Sequence, residues 1–234
     1  MSKKNSNVIL KNYFENYKEL SNIYSVFKKK LASTRKKSFL IAVSGGPDSL
    51  ALTALGKLYS YETKSKIYYV LINHNIRKNS SKEANAVKSL LKKHKIKLDI
   101  IVNKKSIDKN IQGMAREIRY NFLMSYCKKK KIKIILTAHN LEDQVETFLI
   151  RLSRGSGLKG LSAMKPLSTI SAKIELFRPL LDVKKYFLIK ISKSIFGTYI
   201  KDPSNKNLKF LRTKVRNLKK PLEKSGIRYE QIFR

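Results

Sequence analysis

Residues 39–60 read FLIAVSGGPDSLALTALGKLYS. A short apolar run, Phe39–Val43, gives way to the turn Ser44-Gly45-Gly46-Pro47-Asp48-Ser49, and the turn opens onto an apolar helical pattern from Ser49 to Ser60. Two adjacent glycines let the backbone approach a ligand closely. The N–H groups of a helix start then face an anion, and the helix dipole favours negative charge there. Two serine hydroxyls add donors. The pattern GxxxxGK[ST] is absent, which sets the loop apart from an ordinary P-loop NTPase. The same residues also suit a plain strand-to-helix turn, with Ser44 or Asp48 capping the helix.

Outward from this stretch the alternation continues. Lys66–Ile72, Leu98–Val102 and Lys133–Thr137 are short apolar runs with β-branched residues, the pattern of buried strands. Ser81–His94, Met114–Lys129 and Leu141–Arg154 read as helices between and after them. Alternating strands and helices predict an α/β fold with a doubly wound parallel sheet, its ligands at the carboxyl ends of the strands. Beyond Gly155 the reading changes to an apolar stretch (Ile174–Leu181), a helix (Asp182–Phe196), a DPSN turn and a basic helix (Leu208–Ser225). The expected organisation is a basic helical extension over 1–37, the nucleotide-binding domain over 38–165 and a small helical lobe closing the catalytic unit over 166–234.

The 234 residues carry 52 Lys and Arg against 16 Asp and Glu, a net charge of +36. The excess is spread along the whole chain, so this is not a neutral domain with a basic tail. A polyanionic partner, nucleic acid first, follows from such an imbalance. A composition rich in Lys, Asn and Ile gives the competing account, compositional drift. One cysteine, Cys127, excludes an internal disulfide, a CxxC pair and any multi-thiolate metal site. No apolar run reaches membrane-span length and the N-terminus lacks a signal-peptide pattern, so a cytoplasmic protein with no membrane partner is expected.

Several charged residues are spaced for chemistry. In the helix after His139, Leu141, Val145, Phe148, Leu149 and Leu152 share one face, and Asp143 and Glu146 are i, i+3 neighbours opposite. Two carboxylates there suit an ammonium group, or a magnesium ion; Asn140 and Asp143 also suit a simple helix cap. Arg116 and Arg119 are i, i+3 partners on a helix whose apolar face reads Met114, Ile118, Phe122 and Tyr126. They can meet a phosphate as bidentate donors, or face solvent. His74 and His139 stand at strand ends. Arg151 and Arg154, beside the glycines at 155, 157 and 160, form one basic cluster; Arg212, Lys214 and Arg216 form another. Either can neutralise nucleic-acid backbone phosphates.

The loop Ser44–Ser49 resembles the SGGxDS signature of the PP-loop ATP pyrophosphatase superfamily. NHNIR…SSKEA (73–84), QGMAREIRYNFL (112–123), TAHNLEDQVETFLIRLSRGSGLKGLSAM (137–164), FRPLLDVKK (177–185) and DPSNKNLKFLRTKVR (202–216) are similar, in order, to segments of the tRNA(Ile)-lysidine synthase family. Asn73 stands where that family usually has Asp, Asn75 where it has Gly, Glu142 where it has Asp and Thr213 where Asn is common. The resemblance covers about residues 38–222. It implies that Ser44, Gly45, Gly46, Pro47, Asp48 and Ser49, with His74, bind ATP, magnesium accompanying it. It implies lysine binding and catalysis by Asp143 and Glu146, with Arg116 at the site. With tRNA as the polyanion, the basic positions Arg119, Arg151, Arg154, Arg212, Lys214 and Arg216 are the expected backbone contacts.

The implied activity is ligation of free L-lysine to C2 of the wobble cytidine in the CAU anticodon of tRNA(Ile). ATP adenylates the C2 oxygen, pyrophosphate leaves, lysine attacks and AMP departs. Methionine identity becomes isoleucine identity. Many such synthases continue into C-terminal domains that grip tRNA, so the expectation is recognition by the catalytic unit alone or with a second subunit, a homodimer included. The rival readings are another PP-loop ligase and a non-catalytic tRNA-binding derivative.

Overall fold

The computed structural model describes residues 6–107, 111–162, 164–200, 207–208 and 210–233. Two helices, α1 (Ser6–Glu15) and α2 (Lys18–Ser33), precede the sheet. Then come β1 (Ser38–Val43), α3 (Pro47–Thr63), β2 (Lys66–Asn73), α4 (Ser80–Lys93) and β3 (Leu98–Val102). They are followed by α5 (Ile111–Lys130), β4 (Ile134–Leu136), α6 (Leu141–Leu152) and α7 (Leu158–Leu161). The chain ends with β5 (Leu167–Ser171), β6 (Ile174–Phe177), α8 (Lys185–Phe196), α9 (Leu211–Asn217), α10 (Lys219–Lys224) and α11 (Tyr229–Phe233).

The strands form one six-stranded sheet in the order β3-β2-β1-β4-β6-β5. All neighbours are parallel except β5, which returns antiparallel on β6. The expected doubly wound α/β fold is therefore present. The chain winds outward from β1 through β2 to β3, then crosses to β4 on the other side of β1. The crevice between the carboxyl ends of β1 and β4 is the topological switch point, where open α/β sheets bind ligands.

The apolar strands are explained by cover on both faces. Phe39, Ile41 and Val43 of β1 join one core with α1, α2, α3, α4 and α8, while Leu40 joins a second core with Leu123 and Cys127 of α5. Tyr69 and Leu71 of β2 fall in the first core and Val70 in the second, the two-residue period of a strand. Helix α3 is buried nearly all round, which explains its continuous apolar run.

Four details differ from the sequence reading. The apolar face of α5 is Ala115, Leu123 and Cys127 with Tyr120, Met124 and the expected Tyr126 beside them, while Met114 is exposed. Arg119, four residues from both Ala115 and Leu123, is itself exposed. In α6, Glu142, Gln144 and Glu146 are buried and Leu152 is exposed, because α9 and α11 cover the polar face. The basic helix expected over 208–225 is broken at Leu218 into α9 and α10. Pro221 lacks an N–H and its ring crowds the carbonyl four residues earlier, which stops one helix and opens the next. Finally, β5 and β6 belong to the main sheet, so residues 167–177 are not part of a helical lobe. The DPSN turn lies outside the described residues.

Candidate active site

The loop after β1 is held open by its own hydroxyls. Ser49 Oγ donates to Gly46 O at 3.0 Å and accepts from Ser44 N at 3.1 Å, with Ser44 Oγ also 3.1 Å away. Gly46 is the N-cap of α3 and Pro47 the first helical residue, with no side-chain cap bond. Among the described residues the capping expected of Ser44 or Asp48 is therefore absent, and the first-turn N–H groups of α3 lack a side-chain acceptor. Gly45 has φ +81°, and a Cβ there would lie 2.5 Å from Val87 Cγ2. Its carbonyl accepts from Ile200 N at 2.9 Å, which ties the loop to the segment after α8.

Asp48 lies behind this loop. Its Oδ1 is buried without a partner, and its Oδ2 stands 3.6 Å from Lys185 Nζ. Burial pushes its carboxyl up to about 6; Lys185 opposes the shift, and Asp143 and Glu142 add to it. Among the described residues no group of three or more His, Cys, Asp and Glu is arranged to hold a metal ion. The orphaned Oδ1 nonetheless suits a divalent cation whose other ligands come from phosphates and water, the usual manner of magnesium.

Across the switch point, the start of α6 carries the acidic pair. Asn140 and Asp143 form a reciprocal capping box: Asp143 N donates to Asn140 Oδ1 at 3.0 Å and Asn140 N to Asp143 Oδ2 at 3.1 Å. Arginines from α9 bind the remaining oxygens. Arg212 Nη2 lies 2.8 Å from Asp143 Oδ1, and its Nε lies 2.8 Å from Glu146 Oε2. Arg216 Nε lies 2.7 Å from Glu146 Oε1. Burial raises the carboxyl of Asp143, and Arg212 only partly offsets it. Burial also acts upward on Glu146, but bonds from Arg216 and Arg212 outweigh it and hold that carboxyl below its ordinary value. The two acids are thus driven in opposite directions.

Three of the four departures from the family pattern have local explanations. Asn75 adopts φ +54°, a left-handed conformation that Asn tolerates better than most residues and Gly best. Asn73 Oδ1 accepts from Asn75 N at 2.9 Å, and its Nδ2 donates to Ser81 Oγ at 3.1 Å, a bond a carboxylate would have to accept instead. Glu142 accepts from Lys185 N at 2.8 Å and pairs with Lys219 at 3.1 Å. It thereby caps the start of α8, which has no cap of its own, and anchors α10.

The remaining candidates are scattered. His74 closes β2 with both ring nitrogens buried and unpartnered, so it is no structural hydrogen-bonder among the described residues. Burial and Arg119 push it down to about 4. His139 Nδ1 is 3.0 Å from Thr137 Oγ1; burial, then Arg178, Arg212, Arg116 and Arg119, push it down to about 3. Both imidazoles are neutral at pH 7. Arg116 stacks over Tyr120 at 4.9 Å. Arg151 binds the carbonyls of Gly160 and Ser162 and so shapes its own loop, while Arg154 and Lys214 are exposed. Arg212 and Arg216 face the acidic pair rather than forming an open cluster with Lys214. Two residues escaped the sequence reading. Gln144 clamps the Gly-containing loop through both backbone groups of Met164. Arg178 is buried beside His139 with its Nε unpaired, and only its place in FRPLL signalled it.

Comparisons with known proteins show the family to which this chain belongs. A model of the PP-loop domain family matches residues 19–222. The tRNA(Ile)-lysidine synthase of Wolbachia pipientis wMel is 41% identical over 195 residues, 82% of this chain and 45% of that protein. The tRNA(Ile)-lysidine synthase of Orientia tsutsugamushi (strain Boryong) is 40% identical over 183 residues, 78% of this chain and 41% of its own. The chain spans about half the length of the curated relatives it matches. In fold it is similar to the U34-tRNA thiolase NcsA from Methanococcus maripaludis, with a TM-score of 0.71 at 17% identity over 88% of this chain and 74% of that one. The chain belongs to the PP-loop domain family, and the curated relatives it matches bear the name tRNA(Ile)-lysidine synthase.

Proposed function

We propose that this chain carries the catalytic unit of an ATP-dependent ligase that joins free lysine to C2 of the wobble cytidine in the CAU anticodon of tRNA(Ile). The observation that supports it best is the pairing, across one switch point, of an uncapped phosphate loop with a buried acidic pair. ATP would lie with its phosphates on the loop Ser44–Ser49 and the start of α3; Asp48 would hold an accompanying magnesium ion, which would supply positive charge against the phosphates. His74, with two unused ring nitrogens, faces the nucleotide at the end of β2. The C2 oxygen of cytidine attacks the α-phosphate, forming the adenylate and releasing pyrophosphate. The amine of lysine then forms the C–N bond at C2, and AMP leaves with the C2 oxygen.

Lysine's ε-ammonium, with a pKa near 10.4, must lose a proton before it attacks. Groups whose environments drive their pKa values apart divide acid–base roles between them. Asp143, raised by burial, accepts the proton; Glu146, held ionised, anchors the charge. Arg212 already occupies both, so lysine must displace or share that guanidinium. The substrate cation enters where a protein cation now sits. Arg116, stacked over Tyr120, would assist from α5.

A thiolase reading has no support, since the single cysteine, Cys127, is buried in the second core and its thiol is pushed up to about 12. AMP release measured with and without lysine tests the proposal. Release should require ATP, tRNA and lysine together, and fall at least a hundredfold in Asp143→Asn; release that ignores lysine would sink it.

A further inference from the structure

We infer that Arg178 and Arg116 form a second anion clamp, separate from the loop of α3, that takes a phosphate group of the reaction's substrates. Arg178 follows β6 and is only 8% exposed. Its Nη1 donates to Lys165 O at 2.8 Å and to Ser168 Oγ at 3.0 Å, both neutral oxygens. Its Nε is buried with no partner. Among the described residues it makes no ion pair with a carboxylate. A buried charge whose partners are all neutral is costly unless an opposite charge completes it.

The surroundings give that charge a direction. Arg178 and Arg119 both lie in the field of Tyr120, and Arg116 stacks on the ring of the same residue. His139, at the end of the neighbouring strand β4, receives the positive fields of Arg178, Arg116 and Arg119, and stays neutral. Positive charge therefore converges on the carboxyl edge of β4 and β6. Strand β4 separates β6 from β1, so Arg178 sits two strand spacings from the phosphate loop, about 10 Å. A planar fork there suits phosphate oxygens, from the tRNA backbone beside the reacting cytidine or from the nucleotide. Both sources present the same chemistry.

The inference rests on the ligase reading, and its test separates the two. Binding of a CAU anticodon stem–loop is measured across a salt series, with the KM for ATP, for wild type, Arg178→Gln and Arg178→Lys. If the phosphate belongs to RNA, Arg178→Gln lowers the log–log salt slope by about 0.7, one single-strand contact. If it belongs to ATP, the slope holds and KM rises at least fivefold. Arg178→Lys keeps the charge and the wild-type slope. Arg178→Gln with both slope and KM unchanged overturns the clamp, whatever its melting temperature; so does, where the Arg178→Gln slope falls below wild type, an Arg178→Lys slope equally low. Should Arg178→Gln fail to fold, exposed Arg116→Gln carries the test by the same two readouts. Wild type that incorporates no lysine overturns the ligase reading instead.

Discussion

Asp48→Asn should stabilise the ligand-free protein while removing its activity. The folded-state pKa of Asp48 is raised from the ordinary 3.8 to about 6, chiefly by burial, with Lys185 opposing and Asp143 and Glu142 adding. The native state therefore binds this proton more tightly than the unfolded chain does. By linkage the carboxylate costs stability as pH climbs from about 4 through about 6. Roughly two units correspond to about 3 kcal/mol at pH 7 and above. An amide of the same shape escapes that cost. The stability gap between Asp48→Asn and wild type should be near zero at pH 4 and grow to about 3 kcal/mol by pH 7.5, or about 6–12 °C in Tm for a chain of this size. Urea denaturation of both proteins from pH 4 to 8, without ATP or magnesium, reads the gap directly. AMP release in the same variant should vanish. A gap that stays flat or narrows with pH, or a less stable Asp48→Asn at pH 7.5, refutes the reasoning.

Three further outcomes follow from the same geometry. Glu146→Gln leaves Arg212 and Arg216 without their shared carboxylate; because the two arginine side chains are 42% and 32% exposed, urea unfolding should show a loss of about 2 kcal/mol rather than the about 3–5 of a fully buried pair. Glu142→Asp, one methylene shorter, cannot reach both Lys185 N and Lys219; thermal melts should show about 1 kcal/mol less stability, and an unchanged melt would exclude Glu142 as the cap of α8. Gly45→Ala meets both a positive φ and Val87 Cγ2 at 2.5 Å; a loss of about 1–3 kcal/mol with a raised KM for ATP is expected, and a wild-type KM would count against the loop as the phosphate site.

The parallel strands were legible because they are covered on both faces and so read as apolar runs; all four expected strands and the helices between them are present. The β5–β6 hairpin was not, since Leu167–Ser171 alternates weakly and lies at the sheet edge. The loop Ser44–Ser49 was plain from two glycines at a strand-to-helix junction. The acidic pair was legible as a pair but not as buried. Periodicity along α6 marks Asp143 and Glu146 as the polar face, and α9 and α11, from far later in the chain, turn that face inward, with α9's arginines 66–70 residues away from the acids they bind. Arg212 and Arg216 were read as basic surface for the same reason: charge along a chain does not reveal its partner. The apolar face of α5 was only partly legible, since Met114 and Ile118 compete with Ala115 and Leu123 for the same helical period.

The most direct test of the central claim is incorporation of radiolabelled lysine into a CAU-anticodon isoleucine tRNA transcript, with ATP present and methionine tRNA as control. The account predicts ATP-dependent label in the isoleucine tRNA that disappears in Asp48→Asn and Asp143→Asn. ATP-dependent label in neither tRNA, from folded protein that binds the transcript, would contradict it.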